Sequence, residues 1–201
     1  MTNDRKRHIE DYVVDLLKYY GLYKADGKGP IFTVKDLQQK FTFDIKEKEL
    51  EESLQGVIFV GKNNKVKIVV NSTINNLGRK NFTIAHELGH YFLKHKLDNG
   101  QSFCSVKDIE SGLSASNQQE VEANYFSSCF LMPKEYLYWN YYVCMKDYLN
   151  LYPCQELYVG KNTLNNWKNM CRWFNKQCGV SETALKIRLE QFNLLTWDLN
   201  Y

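Results

Sequence analysis

The sequence contains no apolar run close to the roughly 20 residues that a helix needs to cross a bilayer. Its six cysteines include no C-x-x-C pair and no zinc-finger spacing. The N-terminal segment, MTNDRKRHIEDYVVDLL, lacks the apolar stretch and the small-residue cleavage site of a signal peptide. Together these absences predict a cytoplasmic protein that has free thiols and makes no membrane contact.

Neither sign of charge is in large excess. The 26 basic and 23 acidic side chains leave a formal net charge of +3 over 201 residues, which is too small to indicate a nucleic-acid partner by itself. The hydrophobic fraction of 44% and the charged fraction of 24% are typical of a globular protein. Since there is no internal repeat and no low-complexity tract, the length predicts one domain, with room for a small appendage.

The first third of the chain changes from a helical to a strand pattern at Gly56. Apolar residues at helical spacing predict a helix over 6–21, and a loop with the sequence ADGKGP follows. Residues 33–41 and 45–54 are predicted to form two short helices. The β-branched runs GVIFV and KVKIVVN, separated by GKNN, predict an antiparallel hairpin.

The rest of the chain is mostly helical in pattern. The predicted elements are a helix over 78–97, a loop over 98–118, a helix over 117–131, a helix beginning at Pro133, and a helical remainder with turns near Pro153 and Gly179. Helices around one small antiparallel sheet make the chain α+β. We predict a main domain over 1–150 and a helical C-terminal extension over 151–201 that packs on it.

In the segment NFTIAHELGHYFLKH, two of the four histidines lie four residues apart. Residues i and i+4 of a helix lie on one face, about 6 Å apart at their Cβ atoms, so His86 and His90 can converge on one zinc ion. Glu87 projects near enough to hydrogen-bond a water molecule there, which is the role of glutamate in H-E-x-x-H. The alternative is an ordinary amphipathic helix. Gly89 predicts close approach by a neighbouring element, because glycine costs a helix about 1 kcal/mol relative to alanine.

A third ligand is predicted on the following helix, which carries QEVEANYFSSCFLMP. Catalytic zinc sites use three protein ligands. Glu120 can supply a carboxylate oxygen, and Asn124, one turn further along the same face, can orient a ligand histidine through its second ring nitrogen. Glu122 lies on another side of the helix and is predicted to be a solvated charge. The remaining histidines, His8 and His95, stand among charged residues and are predicted to be surface groups.

These two segments resemble the ImmA/IrrE family of zinc metallopeptidases. RKNFTIAHELGHYFLKH is similar to the family's arginine-rich lead-in and active-site helix, and EVEANYFSSCFLMP is similar to its E-x-E-A-N-x-F-A-A-x-L-L-M-P signature. The close similarity covers about Val57 to Leu137. A weaker similarity, to the family's C-terminal ending, returns at CGVSETALKIRLEQFNLL over residues 178–195.

The resemblance implies a compact, mostly helical, zincin-like domain. It also implies that His86, His90 and Glu120 bind Zn²⁺ and that Glu87 is the general base. Zinc is expected over other divalent ions from the ligand types. The implied substrate is a protein, a helix-turn-helix transcriptional repressor, which is cut at one place so that genes of a mobile element, a phage or a stress response are derepressed.

Two alternatives to a peptidase remain open. The first is a zinc-containing regulatory module that holds a repressor or DNA without cutting it, but a structural zinc site needs no base such as Glu87. The second is DNA binding through residues 163–195, where Ser181 is a predicted N-cap within a helix-turn-helix cadence. The basic side chains of this region are Lys161, Lys168, Arg172, Lys176, Lys186 and Arg188. A helical hairpin that closes the domain is the simpler interpretation, so direct nucleic-acid binding is not expected.

Two further features concern the substrate. The strand KVKIVVN, residues 65–71, precedes the helix with the two histidines and is predicted to pair with an extended substrate at the sheet edge. The segment 136–167 is more aromatic than expected for the family, which leaves the identity of the substrate open. We expect its large aromatic residues to complete the core rather than line a substrate groove.

Overall fold

In the computed structural model, helices surround a four-stranded sheet. The structure describes residues 1–23, 34–62, 64–97, 100–105, 117–152 and 156–198. The predicted loop ADGKGP and the predicted turn at Pro153 lie outside the described residues. The helices are α1 (Asn3–Tyr19), α2 (Val34–Phe41), α3 (Leu77–Phe92), α4 (Gln118–Leu131), α5 (Lys134–Val143), a π-helical turn (Cys144–Tyr148), α6 (Leu164–Cys178) and α7 (Glu182–Gln191).

The first helix forms as its hydrophobic periodicity predicts. α1 begins after the N-cap Thr2, whose hydroxyl accepts the backbone N–H of Arg5 at 3.2 Å. Ile9, Val13 and Leu17 have no exposed surface, so one stripe of the helix faces the core. α1 packs with this stripe towards the interior and contacts α4.

The strands confirm the predicted hairpin and extend it. They are β1 (Asp44–Lys48), β2 (Leu54–Val60), β3 (Val66–Asn71), β4 (Gln101–Ser105), β5 (Leu157–Val159) and β6 (Leu195–Trp197). The order in the larger sheet is β1-β3-β2-β4. Because β1 runs parallel to β3 whereas β2 runs antiparallel to both β3 and β4, this sheet is mixed and not purely antiparallel as predicted. β5 and β6 form a separate parallel pair. The predicted α+β class is confirmed.

Two of the predicted elements are wrong. The segment 45–54, predicted as a helix, contributes residues 44–48 to β1, where Ile45 pairs with Ile68 and is buried. Its many charged residues favour a helix locally, but pairing with β3 and burial of Ile45 override that weak preference. In the segment 98–118, predicted as a loop, residues 101–105 form β4, which pairs with β2, whereas residues 98–99 and 106–116 lie outside the described part of the chain.

The close approach predicted at Gly89 is confirmed. A Cβ atom at Gly89 would lie 3.1 Å from Cα and 3.3 Å from the carbonyl oxygen of Ala123, so α3 and α4 are in backbone contact there. The rings of Phe92 and Phe126 stack beside this contact, with their centroids 6.2 Å apart. This packing places the first turns of α4 against the second half of α3.

The C-terminal part is helical as predicted, apart from the β5–β6 pair. α6 ends at Gly179, which adopts the left-handed conformation (φ 59°) that favours glycine. The predicted N-cap of the next helix is present, because the Ser181 hydroxyl accepts the backbone N–H of Ala184. The turn between the two helices contacts α3, since Asn81 donates to the carbonyl oxygen of Gly179 at 2.9 Å.

A buried arginine attaches α7 to the N-terminal half of the chain. Arg188 has no exposed surface. Its Nε donates to the carbonyl oxygen of Met132 at 3.1 Å, and its Nη1 lies 3.0 Å from Oε1 of Glu10 in α1. A buried guanidinium requires such partners, because an unpaired charge in the interior is costly. Arg188 is therefore a structural group and is not available to contact DNA.

The aromatic segment 136–167 supplies both core and surface. Tyr136, Tyr141 and Trp167 are buried, as expected for residues that complete the core. Other large aromatic residues of the same segment are exposed: Tyr138, Trp139, Tyr142, Tyr148, Tyr152 and Tyr158. The expectation therefore holds for only some of the large aromatic residues in this segment.

The cysteines are free thiols where the structure describes them. They are Cys104, Cys129, Cys144, Cys171 and Cys178, whereas Cys154 lies outside the described residues. Burial raises the pKa of Cys129 and Cys178 to about 12, so these thiols stay protonated near neutral pH. Across the described part of the chain, none of the helices combines the length and the apolar character that crossing a bilayer requires.

Candidate metal centre

The two histidines of the H-E-x-x-H motif lie inside the protein on α3. His86 is 0% exposed and His90 is 2% exposed, because both the sheet and α4 pack against this helix. The helix begins after the N-cap Asn76, whose side chain accepts the backbone N–H of Arg79 at 2.9 Å. One turn separates the two histidines, and their Nε2 atoms are 3.0 Å apart. Two nitrogen ligands thus face the same point.

Glu120, in the first turn of α4, completes a group of three. Its Oε2 lies 3.1 Å from Nε2 of His86, and its Oε1 lies 3.5 Å from Nε2 of His90. The ligand atoms of these three residues all lie within 4.8 Å of one another. Two ligand atoms of a tetrahedral zinc ion, each about 2.0–2.2 Å from the metal, are about 3.4 Å apart. The three side chains therefore fit a zinc ion in both chemistry and spacing.

The electrostatics of Glu120 suit a metal ligand. Burial on its own would raise the pKa of this carboxyl, but its contacts with His86 and His90 outweigh burial and hold the pKa well below its usual range. The carboxylate is therefore ionised near neutral pH. An anionic oxygen beside two imidazole nitrogens is a donor set that zinc prefers.

Asn124 contacts His86 from one turn beyond Glu120. Its Oδ1 lies 2.9 Å from Nδ1 of His86, and both side chains are buried. The carbonyl oxygen accepts the Nδ1 proton, so the lone pair of the imidazole is on Nε2, which faces Glu120. The structure thus places Asn124 where the sequence analysis predicts it.

Glu87 lies between α3 and the sheet and is fully buried. A Cβ atom at Gly56 of β2 would lie 3.2 Å from Oε1 of Glu87 and 2.5 Å from Cγ2 of Thr83. The absence of a side chain at Gly56 therefore leaves the room that Glu87 occupies. This role of Gly56 was not predicted from the sequence, where the one indication is a glycine inside a β-branched run.

The end of α3 brings a third histidine to the site. The helix is predicted to reach residue 97, but it ends at Phe92. The backbone N–H of Lys94 donates to the carbonyl oxygen of Tyr91 at 3.1 Å, and that of His95 donates to His90 at 3.0 Å. This is the Schellman pattern of helix termination, with Lys94 in the left-handed conformation (φ 55°) that glycine usually occupies. The turn folds His95 back beneath the helix.

The prediction that His95 is a surface group is wrong. Its side chain is 5% exposed, and its Nδ1 lies 3.1 Å from Nδ1 of His90. Burial, and then repulsion from His90, lower the pKa of His95 to about 4 against the opposing effect of Glu122, so the ring is neutral at pH 7. The companion prediction for His8 is confirmed, since that residue is exposed.

Glu122 is not the solvated charge that the sequence analysis predicts. Its side chain is only 8% exposed and forms an ion pair with Arg5 of α1. Gln118 donates to its Oε1 at 3.0 Å, and Nε2 of His95 lies 3.5 Å from its Oε2. Burial alone would raise the pKa of Glu122, but Arg5 and Gln118 lower it to about 2. The prediction fails because α1 covers this side of α4, and no local pattern reveals that contact.

The chain matches the model of a known protein family. Residues 52–158 match the model of the Peptidase M78 family, which is described as the IrrE N-terminal-like domain. This range is more than half of the 201 residues and includes the three candidate ligands together with Glu87 and Asn124. Arg5 lies outside it. None of the curated proteins matches the chain.

Proposed function

Because the chain belongs to the Peptidase M78 family of IrrE N-terminal-like domains, we propose that it is a zinc-dependent endopeptidase. The membership confirms the resemblance carried by the two sequence motifs. We propose further that the substrate is a helix-turn-helix transcriptional repressor, cut at one site so that the genes it controls are expressed. This substrate is supported by the resemblance to the ImmA/IrrE family.

One observation carries the enzymatic proposal. Side chains from two helices, His86 and His90 on α3 and Glu120 on α4, direct three ligand atoms to one point, and Glu87 is adjacent in the sequence to one of them. Three protein ligands are characteristic of catalytic rather than structural zinc sites, which use four. Among the described residues, these two histidines and one glutamate have the spacing that suits a metal ion.

The proposed reaction is hydrolysis of a peptide bond. Zinc in such a site acts as a Lewis acid and activates water. Glu87 accepts a proton from the attacking water and then gives it to the nitrogen of the leaving amine. Asn124 keeps the proton of His86 on Nδ1, which keeps Nε2 available as a ligand atom. His86, Glu87 and Asn124 are buried, which strengthens their electrostatic interactions relative to those in water.

The first expected result concerns the metal. The purified protein, loaded with zinc, is expected to bind one zinc ion per chain and to gain thermal stability that increases with free zinc concentration, by about 2.7 kcal/mol at one hundred times the dissociation constant. Removal of zinc with a chelator should abolish cleavage, and added zinc should restore it. Zinc content by elemental analysis, thermal unfolding and cleavage by gel electrophoresis would measure these effects.

The substrate is tested with the zinc-loaded protein and the repressor encoded next to its gene. One defined cut, located by mass spectrometry and absent when the chelator is present, is the expected result. A protein that binds zinc but cuts neither this repressor nor any other polypeptide would contradict the proposed activity. A protein that cuts an unrelated polypeptide but spares the repressor would contradict only the substrate.

The docking strand predicted from the sequence is wrong, and the structure offers another. β3 pairs with β1 on one side and with β2 on the other, so it has no edge for a substrate. We propose that β4 takes this role, since it ends the sheet order among the described strands. Gly56 of β2 lies opposite Cys104 of β4 and is next to Glu87. A peptide added beside β4 would therefore lie two strand spacings, about 10 Å, from Gly56.

A proline in β4 tests this proposal. The backbone N–H of Val60 in β2 donates to the carbonyl oxygen of Gly100, so these two residues form a hydrogen-bonded pair. Hydrogen-bonded and non-hydrogen-bonded pairs alternate along an antiparallel ladder, which makes Val57 and Phe103 a non-hydrogen-bonded pair. The backbone N–H of Phe103 therefore points away from β2. Phe103→Pro should leave the sheet intact, remove one hydrogen bond to the substrate and raise KM about 2–10-fold relative to Phe103→Ala. Equal KM values for the two folded variants, measured by steady-state cleavage, would rule out β4 as the docking edge.

A regulatory module that holds a repressor or DNA without cutting it is the second candidate function. The exposed basic residues Lys168, Arg172 and Lys176 on α6 are the feature that favours it. Arg188 on α7 is buried and contributes nothing to such a surface. The two candidates differ in what they require of Glu87. The division into 1–150 and 151–201 and the cytoplasmic location stay predictions from the sequence.

A further inference from the structure

A row of polar side chains runs from His90 to the N-terminal helix. Nδ1 of His90 faces Nδ1 of His95 at 3.1 Å, and Nε2 of His95 faces Oε2 of Glu122 at 3.5 Å. Glu122 is paired in turn with Arg5 of α1. These three partners come from three different parts of the chain: the turn after α3, the helix α4 and the helix α1. None of them is among the residues that face the proposed metal.

The hydrogen bonds along this row are all donated in one direction, from His90 towards Glu122. A His90 that uses Nε2 as a metal ligand carries its proton on Nδ1, so it donates to His95. His95 must then accept at Nδ1, which leaves its own proton on Nε2, directed at the carboxylate of Glu122. The carboxylate is held by Arg5 and Gln118. Every donor in the row therefore meets an acceptor when Nε2 of His90 points at the metal.

We propose that His95, held by Glu122 and Arg5, is a positioning residue that fixes the ring orientation of His90 for metal binding. The inference rests on the proposed function, because it assigns His90 to the metal. It adds a role for α1, which lies outside the range that matches the family. The arrangement on His90 parallels that on His86, whose Nδ1 meets Asn124 at 2.9 Å.

Two features separate this role from simple packing. Lys94 holds the left-handed conformation at φ 55°, where glycine has no steric cost, and that turn is what places His95 under His90. Glu122 is a nearly buried carboxylate, which is costly to bury unless it is paired. A hydrophobic side chain in place of Glu122 would fill the same space without the cost of burying a carboxylate.

The test compares His95→Leu with His95→Asn in the full chain. Asparagine and leucine have similar sizes, but Oδ1 of asparagine can take the place of Nδ1 and accept the proton from His90. His95→Leu is expected to weaken zinc binding about 10–100-fold, the usual cost of losing such a partner, whereas His95→Asn should stay within about tenfold of the wild type. Zinc affinity is measured by competition with a chromogenic chelator. The visible spectrum of the Co²⁺ form should change in His95→Leu and be retained in His95→Asn.

The rest of the row is tested with two variants that each remove one charge. Glu122→Gln and Arg5→Met act on His90 through His95, so each should weaken zinc binding measurably but by less than about tenfold, and unchanged zinc affinity in Glu122→Gln would contradict the positioning role. His8→Leu and Arg7→Met are the matched controls, because both residues are exposed on the same N-terminal helix, and zinc affinity should not change in either. If His95→Leu does not fold, as judged by circular dichroism, Glu122→Gln decides the outcome by the same measurements.

The outcomes separate the two levels of the argument. A folded His95→Leu protein with wild-type zinc affinity and an unchanged Co²⁺ spectrum would overturn the positioning role while leaving the zinc peptidase intact. Equal losses in His95→Leu and His95→Asn would also overturn it, because they would indicate packing and not the hydrogen bond. A wild-type protein that neither binds zinc nor cuts any protein would overturn the proposed function itself.

Discussion

Replacing Glu87 with glutamine is expected to lower the rate of cleavage about 10²–10⁴-fold while leaving zinc bound. Glutamine has the same shape as glutamate, so it fits the space beside Gly56 that Glu87 occupies. Its amide cannot accept the proton of the attacking water, and Glu87 is not one of the three side chains that converge. Steady-state cleavage and the zinc content of the purified variant measure the two halves of this prediction.

Glu49→Gln is the matched control, since it makes the same change in charge at an exposed residue away from the site. This variant should cleave at the wild-type rate. The regulatory module predicts a different result, because a protein that only holds its repressor has no use for a base. If Glu87→Gln retained full activity with zinc bound, another group would have to move the proton, and the assignment of Glu87 would fail.

Local patterns predicted those parts of the fold that local interactions determine. The spacing of Ile9, Val13 and Leu17 requires only that one face of a helix meets the core, so α1 could be predicted from the sequence. The close helix contact at Gly89 could also be predicted, because a glycine that weakens a helix is expected to have a packing reason. His86 and His90 share one face of α3, and Glu120 and Asn124 share one face of α4, because the members of each pair are four residues apart.

Elements that depend on distant partners could not be predicted in this way. Residues 44–48 form a strand only because β3 offers an edge, and their own sequence, DIKEK, favours a helix. Residues 101–105 likewise form a strand beside β2, although they lie within a polar stretch. Local propensity does not show which strands pair, so it gave a helix for residues 44–48 and a loop for residues 101–105.

The residues behind His90 show the same limit at the site. His95 is five positions after His90, which on a continuous helix would place it on a different face. Only the turn at Lys94 reverses the chain and brings the two rings into contact. Glu122 is buried because α1, more than one hundred residues earlier, supplies Arg5. Sequence spacing predicted the candidate ligands and Asn124, but it could not predict the contacts that His95, Glu122 and Arg5 make behind His90.

Replacing Glu120 with glutamine is expected to cost more zinc affinity than any change behind the ligands. Glu120 contributes an anionic oxygen that lies 3.1 Å from Nε2 of His86, whereas Glu122 reaches the site only through His95. Removing a hydrogen-bond partner of a metal ligand lowers metal affinity about 10–100-fold, and Glu120→Gln should lower zinc affinity by more than that. Glu122→Gln, in the same helix and with the same change in charge, is the matched control and should lose less than about tenfold. Chelator competition measures both affinities.

The comparison decides between the two carboxylates of α4, because the helix can direct only one of them at the histidines. Glu120 shares a face with Asn124, whereas Glu122 is turned towards α1. Glu120→Gln should also lose cleavage at zinc concentrations that saturate the wild type. If Glu122→Gln instead lost zinc and Glu120→Gln retained it, the third ligand would be Glu122, and the convergence of His86, His90 and Glu120 would not be the metal centre.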